Sequence, residues 1–203
     1  MVARIFGLAA LFLAGCSPQE PAPVAGGAAA GCMTRAYSTI GGPIDLVDQT
    51  GAPVTEADLM GSSSLVFFGF TYCPDVCPMT LYTLGQAMEL LPEGVDAPRT
   101  VLISVDPERD TPEALGAYLS NDAFPENTLG LTGSGQALRA AAQAFKADFQ
   151  RVEQPGSAMD YTMNHTSLVY LMDSDWALQT FFTHADDAES IAQCLAAHLG
   201  EGA

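Results

Sequence analysis

Two apolar runs constrain this chain more than anything else in it. Residues 64–71 (SLVFFGFT) and 100–105 (TVLISV) are nearly continuous in apolar groups, the pattern of strands buried on both faces of a parallel sheet. Parallel neighbours need a crossover between them, and each run is followed by a helical signal. After the first, Leu81, Leu84, Met88 and Leu91 recur at spacings of three and four before Pro92, which predicts a helix over 78–91. After the second, Thr111-Pro112-Glu113 places a hydroxyl cap, a proline at the first helical position and an acid in the first turn. Leu138, Ala141, Ala142, Phe145 and Phe149 predict a third helix over 134–149. Residues 167–172 and 177–182 read as a closing pair of strands, before a last helix opened by Asp186 and Asp187. Upstream, 44–47 and 52–55 flank Asp48-Gln49-Thr50-Gly51, a hairpin added to the sheet. Residues 150–164 are the least periodic part and are expected to form a mobile loop. The sum is one α/β domain without internal repeats, and 203 residues at 48% apolar content suffice for its core.

Charge narrows the partners. Only 15% of residues are charged, 24 acidic against 7 basic, for a net charge of -17. Nucleic acid is excluded, because phosphate binding needs Lys/Arg clusters that are missing here. Attachment to an anionic membrane surface is disfavoured by the same sign, so lipid or an apolar segment must supply any anchor. The first residues offer one. Arg4 precedes an apolar run over 5–14, too short to span a bilayer and of signal-peptide length. It ends Leu13-Ala14-Gly15-Cys16, which resembles the lipobox of bacterial lipoproteins, with cleavage before Cys16 and acylation of that cysteine; an uncleaved anchor is the alternative. Residues 17–31 are mostly Pro, Ala and Gly, suited to a tether. The expected organisation is a signal peptide over 1–15, a lipidated terminus and tether over 16–36, and a folded domain over 37–203 outside the cytoplasm.

In that compartment Cys32, Cys73, Cys77 and Cys194 remain to be placed. Cys73-Pro74-Asp75-Val76-Cys77-Pro78 lies between a buried strand and a helix, at the carboxyl edge where α/β sheets put their ligands. The amides of the helix start favour thiolate there. The CxxxC spacing alone fits a structural or redox disulfide equally well. A third ligand shifts the balance. Of the histidines, His165 lies at the mouth of the 167–172 strand, which a thioredoxin-like sheet brings against the cysteine turn; His184 reads as an exposed loop residue and His198 as a polar position on the terminal helix. Two thiolates and one imidazole suit Cu(I), whereas structural zinc sites close with four protein ligands.

These residues resemble the Sco/SenC family, named for synthesis of cytochrome c oxidase. The likeness covers about residues 40–171, through Ile40-Gly41-Gly42-Pro43, LVFFGFTYCPDVCPMTL over 65–81, ISVDPERDTPE over 103–113, Gly130-Leu131-Thr132-Gly133, and His165. It implies a tethered thioredoxin-like domain with an added N-terminal β-hairpin that binds copper through Cys73, Cys77 and His165, as Cu(I), with Cu(II) left open. It further implies delivery of that copper, received from a periplasmic donor, to the dinuclear copper centre of oxidase subunit II. In some members the cysteine pair instead reduces thiols of that subunit, so thiol-disulfide oxidoreductase is the alternative function; a redox or copper sensor would share the site. This chain departs from the family in carrying Asn164 where an acid often precedes the histidine.

The remaining polar residues receive local readings. Asp75 is expected to cap a turn, the charged 106–113 segment to cap a helix with Arg109 answering a neighbouring acid, and Met79, Met159 and Met163 to pack. Cys32 and Cys194 are expected to form a disulfide; the alternative is a buried Cys194 and a free Cys32.

Overall fold

The computed structural model describes Cys32 and residues 39–126 and 128–200. The leader over 1–15, Cys16, and all of the 16–36 tether except Cys32 lie outside the described residues. A seven-stranded sheet forms the centre, in the order β2-β1-β5-β4-β3-β8-β9. The apolar runs become its middle: β3 (Ser64–Gly69) and β4 (Arg99–Ser104) pair in parallel, and β4 pairs in parallel with β5 (Leu129–Thr132). All six residues of β3 are buried, as strands covered on both faces require. The hairpin of β1 (Asp45–Asp48) and β2 (Pro53–Thr55) adds antiparallel to β5, extending the sheet at one edge. At the other edge β8 (Val169–Met172) runs antiparallel to β3, and β9 (Leu178–Phe182) antiparallel to β8.

Helices α1 (Val76–Glu89) and α2 (Pro112–Leu119) make the two crossovers; α3 (Gly135–Ala144) and α4 (Ala188–Leu199) follow β5 and β9. Their starts obey the capping signals, with Thr111, Ser134 and Asp187 each accepting a backbone N–H of the first turn. α1 begins two residues earlier than its apolar spacing predicts, which draws Cys77 into its first turn. α3 ends earlier than 149, because Lys146 takes a left-handed φ of 54°. Phe68, Phe145, Tyr170 and Trp176 pack edge to face in the core at centroid distances from 5.3 to 6.4 Å. Gly41 turns the entering chain at φ +93°, where a Cβ would stand 2.7 Å from Met172 Cε, and the Trp176 indole donates to the Gly42 carbonyl. The architecture is the expected α/β, thioredoxin-like layer structure with an N-terminal hairpin.

The expectation for one segment of the fold is overturned. Residues 150–164 are not a mobile loop: β6 (Phe149–Glu153) and β7 (Tyr161–His165) pair in register as a two-stranded ribbon, Phe149 opposite His165 and Glu153 opposite Tyr161. Only Phe149, Tyr161 and Met163 are buried, so the polar outer face hides the period of two. Long-range contacts stabilise the ribbon. The Tyr161 hydroxyl donates to Asp106 at 2.8 Å, and Arg151 bridges to Glu108 at 2.6 Å. Tyr161→Phe is expected to cost about 1.5–3 kcal/mol in urea unfolding, the worth of a hydrogen bond to a charged acceptor; an unchanged midpoint would remove the anchoring role.

Candidate metal centre

The centre is built where β3 ends. The chain turns after Phe70, whose carbonyl accepts from the Cys73 N–H at 3.2 Å, and enters α1 at Val76. The first amides of a helix lack intrahelical acceptors. Here the Cys77 N–H points at Cys73 Sγ, 3.3 Å away, so the helix start solvates that sulfur. Cys73 is half-buried and Cys77 fully buried; both are free thiols.

His165 closes the group from the end of β7, one strand earlier than the mouth of the 167–172 run where it was expected. Its Nε2 lies 3.8 Å from Cys77 Sγ. Its Nδ1 lies 3.0 Å from the Thr166 carbonyl. A carbonyl only accepts, so Nδ1 carries the proton and the Nε2 lone pair faces the sulfurs, the tautomer a metal needs. Thr166 is held in turn: its N–H donates to the Asp148 carbonyl and its hydroxyl accepts from the Asp148 N–H. The Phe70 ring meets the imidazole edge to face at 5.8 Å. One donor atom from each of Cys73, Cys77 and His165 lies within 4.8 Å of the others.

The two thiols divide their roles. The hydrogen bond from the Cys77 thiol is the chief cause holding Cys73 down to about 4, and the Cys77 amide adds to it, against the burial that opposes it. Cys77 moves the other way: donating to Cys73 keeps it protonated, and burial adds to that. One thiolate is thus already formed on the more accessible sulfur. Iodoacetamide labelling followed by mass spectrometry checks this. The metal-free reduced protein should label first at Cys73, at a rate nearly flat from pH 5.5 to 8, because the thiolate is populated above about pH 4; a rate rising through an ordinary thiol pKa would contradict it.

The sequence reading missed the residues that position this group. Arg109 answers Asp106, as expected, with Nε 2.5 Å from the carboxylate. It also donates to the Tyr161 carbonyl and lies over the rings of Tyr72, 4.7 Å away, and Tyr161, 3.7 Å away. One guanidinium therefore joins the segment that leads into Cys73 to the strand that ends at His165. Asp110 is fully buried and accepts from the Thr71 hydroxyl at 2.6 Å and the Ser104 hydroxyl at 2.7 Å; burial holds its carboxyl above the usual range despite those bonds. The 106–113 segment therefore does more than cap α2. The signal was present as four charges within five residues, directly after a buried strand in a charge-poor chain. Asp75 stands at the N-cap of α1 but its side chain makes no capping bond, contrary to the local reading. Met79 is exposed rather than packed, while Met163 is buried. His184 is exposed, beside a cavity of about 280 Å³ whose walls include Asp75, Met79 and Asp186.

Cys32 and Cys194 are joined by a disulfide, Cα to Cα 5.3 Å, which ties the start of the described chain to α4. Among the described residues no helix is long and apolar enough to cross a membrane.

Comparison with known proteins agrees with this centre and fold. The SCO1/SenC family model matches residues 33–200. The mitochondrial SCO1 homolog 1 of Arabidopsis thaliana is 36% identical over 156 residues, 76% of this chain, and the match spans 45% of that longer relative. The copper-bound crystal structure of Arabidopsis thaliana ScoI superposes with a TM-score of 0.74 at 33% identity, covering 80% of this chain and 99% of the other. Copper-bound ScoI of Bradyrhizobium japonicum gives 0.69 at 38% identity, covering 79% and 99%. BsSco, described with a disulfide switch and as a member of the Sco family of cytochrome c oxidase assembly proteins, gives 0.63 at 25% identity, covering 83% and 98%. With a Cys-Cys-His group able to bind copper, on a fold shared with copper-bound relatives and matched over nearly its whole folded length, the chain belongs to the SCO1/SenC family.

Proposed function

We propose that this protein is a copper chaperone of cytochrome c oxidase assembly, in which Cys73, Cys77 and His165 hold the ion and pass it to the dinuclear copper centre of subunit II. The convergence of two sulfurs and an oriented imidazole within 4.8 Å carries this reading. Soft thiolates select Cu(I), and the neutral Nε2 completes a three-coordinate set. Three ligands leave an approach for a fourth. An entering thiolate or imidazole from the acceptor adds to the ion beside half-buried Cys73, a shared intermediate forms, and the chaperone's ligands leave one at a time. Buried Cys77 is then the last sulfur to let go. The copper comes from a periplasmic donor by the same exchange in reverse. Acylation at Cys16 and the tether that follows keep the domain at the membrane surface, where subunit II is assembled.

Thiol-disulfide exchange with subunit II is the second reading, favoured by the stabilised Cys73 thiolate beside a protonated partner, the arrangement of an attacking and a resolving thiol. A copper or redox sensor would use the same three residues. Complementation of a strain lacking the protein separates them. His165→Ala should fail to restore oxidase under copper limitation, and excess copper should restore it. Full oxidase assembly by His165→Ala, with thiol reductase activity retained, would favour exchange; a regulatory response without loss of oxidase would favour sensing.

A further inference from the structure

A second group of soft donors lies on α4. Cys194 and His198 stand four residues apart on that helix, so their side chains share a face. Cys32, 162 residues earlier in the chain, is bonded to that face. One donor atom from each of Cys32, Cys194 and His198 lies within 4.8 Å of the others. The set repeats that of the cysteine turn: one buried sulfur, one half-buried sulfur and one half-buried imidazole. We propose that Cys32, Cys194 and His198 form a second Cu(I) site, closed while the disulfide is intact and opened by its reduction. Only the choice of ion rests on the copper reading given above.

The chemistry balances with a dithiol as reductant. Its thiolate attacks the half-buried Cys32 sulfur and releases Cys194 as thiolate, which takes a proton. The second thiol of the reductant then displaces Cys32 from the mixed disulfide. Two electrons and two protons have passed to the protein, and the reductant leaves as its own disulfide. Cu(I) next displaces the two thiol protons and accepts the lone pair of the neutral imidazole. The metal replaces the covalent link between the same two residues, so the closure between the N-terminal segment and α4 is kept while the sulfurs are reduced. Because Cu(I) binds only the dithiol, it draws the disulfide equilibrium toward reduction by mass action. The pair is thereby a site whose copper occupancy depends on the thiol poise of the compartment.

The test uses the full chain carrying Cys73→Ser and Cys77→Ser, which removes the first centre. Anaerobic titration with Cu(I) against a colorimetric chelator should show one tightly held equivalent after dithiol reduction and none with the disulfide intact. His198→Ala, which leaves the disulfide in place, should weaken that binding at least tenfold. A reduced protein that binds no Cu(I), or binding unaffected by both His198→Ala and Cys194→Ser, would overturn the proposal. A second measurement covers loss of structure on reduction. In a fixed dithiol buffer, Cu(I) should raise the fraction of Cys32 and Cys194 found as thiols, and less so in His198→Ala; no copper-dependent rise would contradict the site. The fully reduced unsubstituted chain should bind two equivalents. If that chain instead binds a single equivalent, its complete loss with Cys73→Ser and Cys77→Ser would leave the first centre standing and this one refuted, and its survival of those substitutions would do the reverse.

Discussion

His165→Ala should weaken Cu(I) binding at the cysteine turn by at least about 100-fold, close to 3 kcal/mol. The imidazole is one of only three donors, so its loss removes a full coordinate bond from the ion. Among the described residues no other His, Cys, Asp or Glu joins the group. Nδ1 is pinned to the Thr166 carbonyl, Thr166 to Asp148, and the ring is packed edge to face with Phe70, so the lone pair is oriented before the metal arrives. That preorganisation is lost together with the ligand. Competition against a chelator of known affinity reads the effect, with the Cys32–Cys194 disulfide left intact so that only one site reports. The sulfurs would still retain some copper in a weaker two-coordinate form. A loss of less than about threefold would mean that the ring stands beside the ion without bonding it.

The second large effect concerns the staple. Replacing Cys32 and Cys194 by Ser together should lower the unfolding free energy by roughly 3–5 kcal/mol, the chain-entropy value for closing a long loop. The bond spans a separation of 162 residues, so nearly the whole folded unit lies inside the ring it closes. The unfolded chain loses most from such a constraint. At about 2–4 °C per kcal/mol for a protein of this length, the melting temperature should fall by on the order of 10 °C. Calorimetry of the oxidised protein against the double-serine variant measures it, and a difference under about 2 °C would show that the closure contributes little. Copper binding at Cys73, Cys77 and His165 should survive the substitution at temperatures where the domain remains folded.

The buried frame of the fold is legible in the amino-acid sequence because burial on two faces leaves no alternative to runs such as SLVFFG and RTVLIS. The cysteine turn is legible for the same reason: it sits where the first of those runs stops. What escaped notice depends on contacts between distant residues. β6 and β7 are two short strands with one wet face, and a two-stranded ribbon has little stability of its own. Arg109, Tyr161 and Asp106 supply it, and no local spacing announces that Arg109 lies over both Tyr72 and Tyr161. Asp110 was hidden within a charged run, where burial is the less common fate of an acid. Its two hydroxyl partners are 39 and 6 residues away. His198 shows the complementary limit. Its spacing from Cys194 is plain in the sequence, yet it becomes a candidate ligand only when the fold brings Cys32 to the same helix face.

X-ray absorption at the copper edge, on the full chain loaded with one equivalent of Cu(I) and with the Cys32–Cys194 bond intact, tests the central claim most directly. The expected first shell is three-coordinate, two sulfurs and one nitrogen, with the nitrogen lost in His165→Ala and one sulfur lost in Cys77→Ser. A shell that is the same with and without His165, or one that contains no sulfur, would contradict the centre described above.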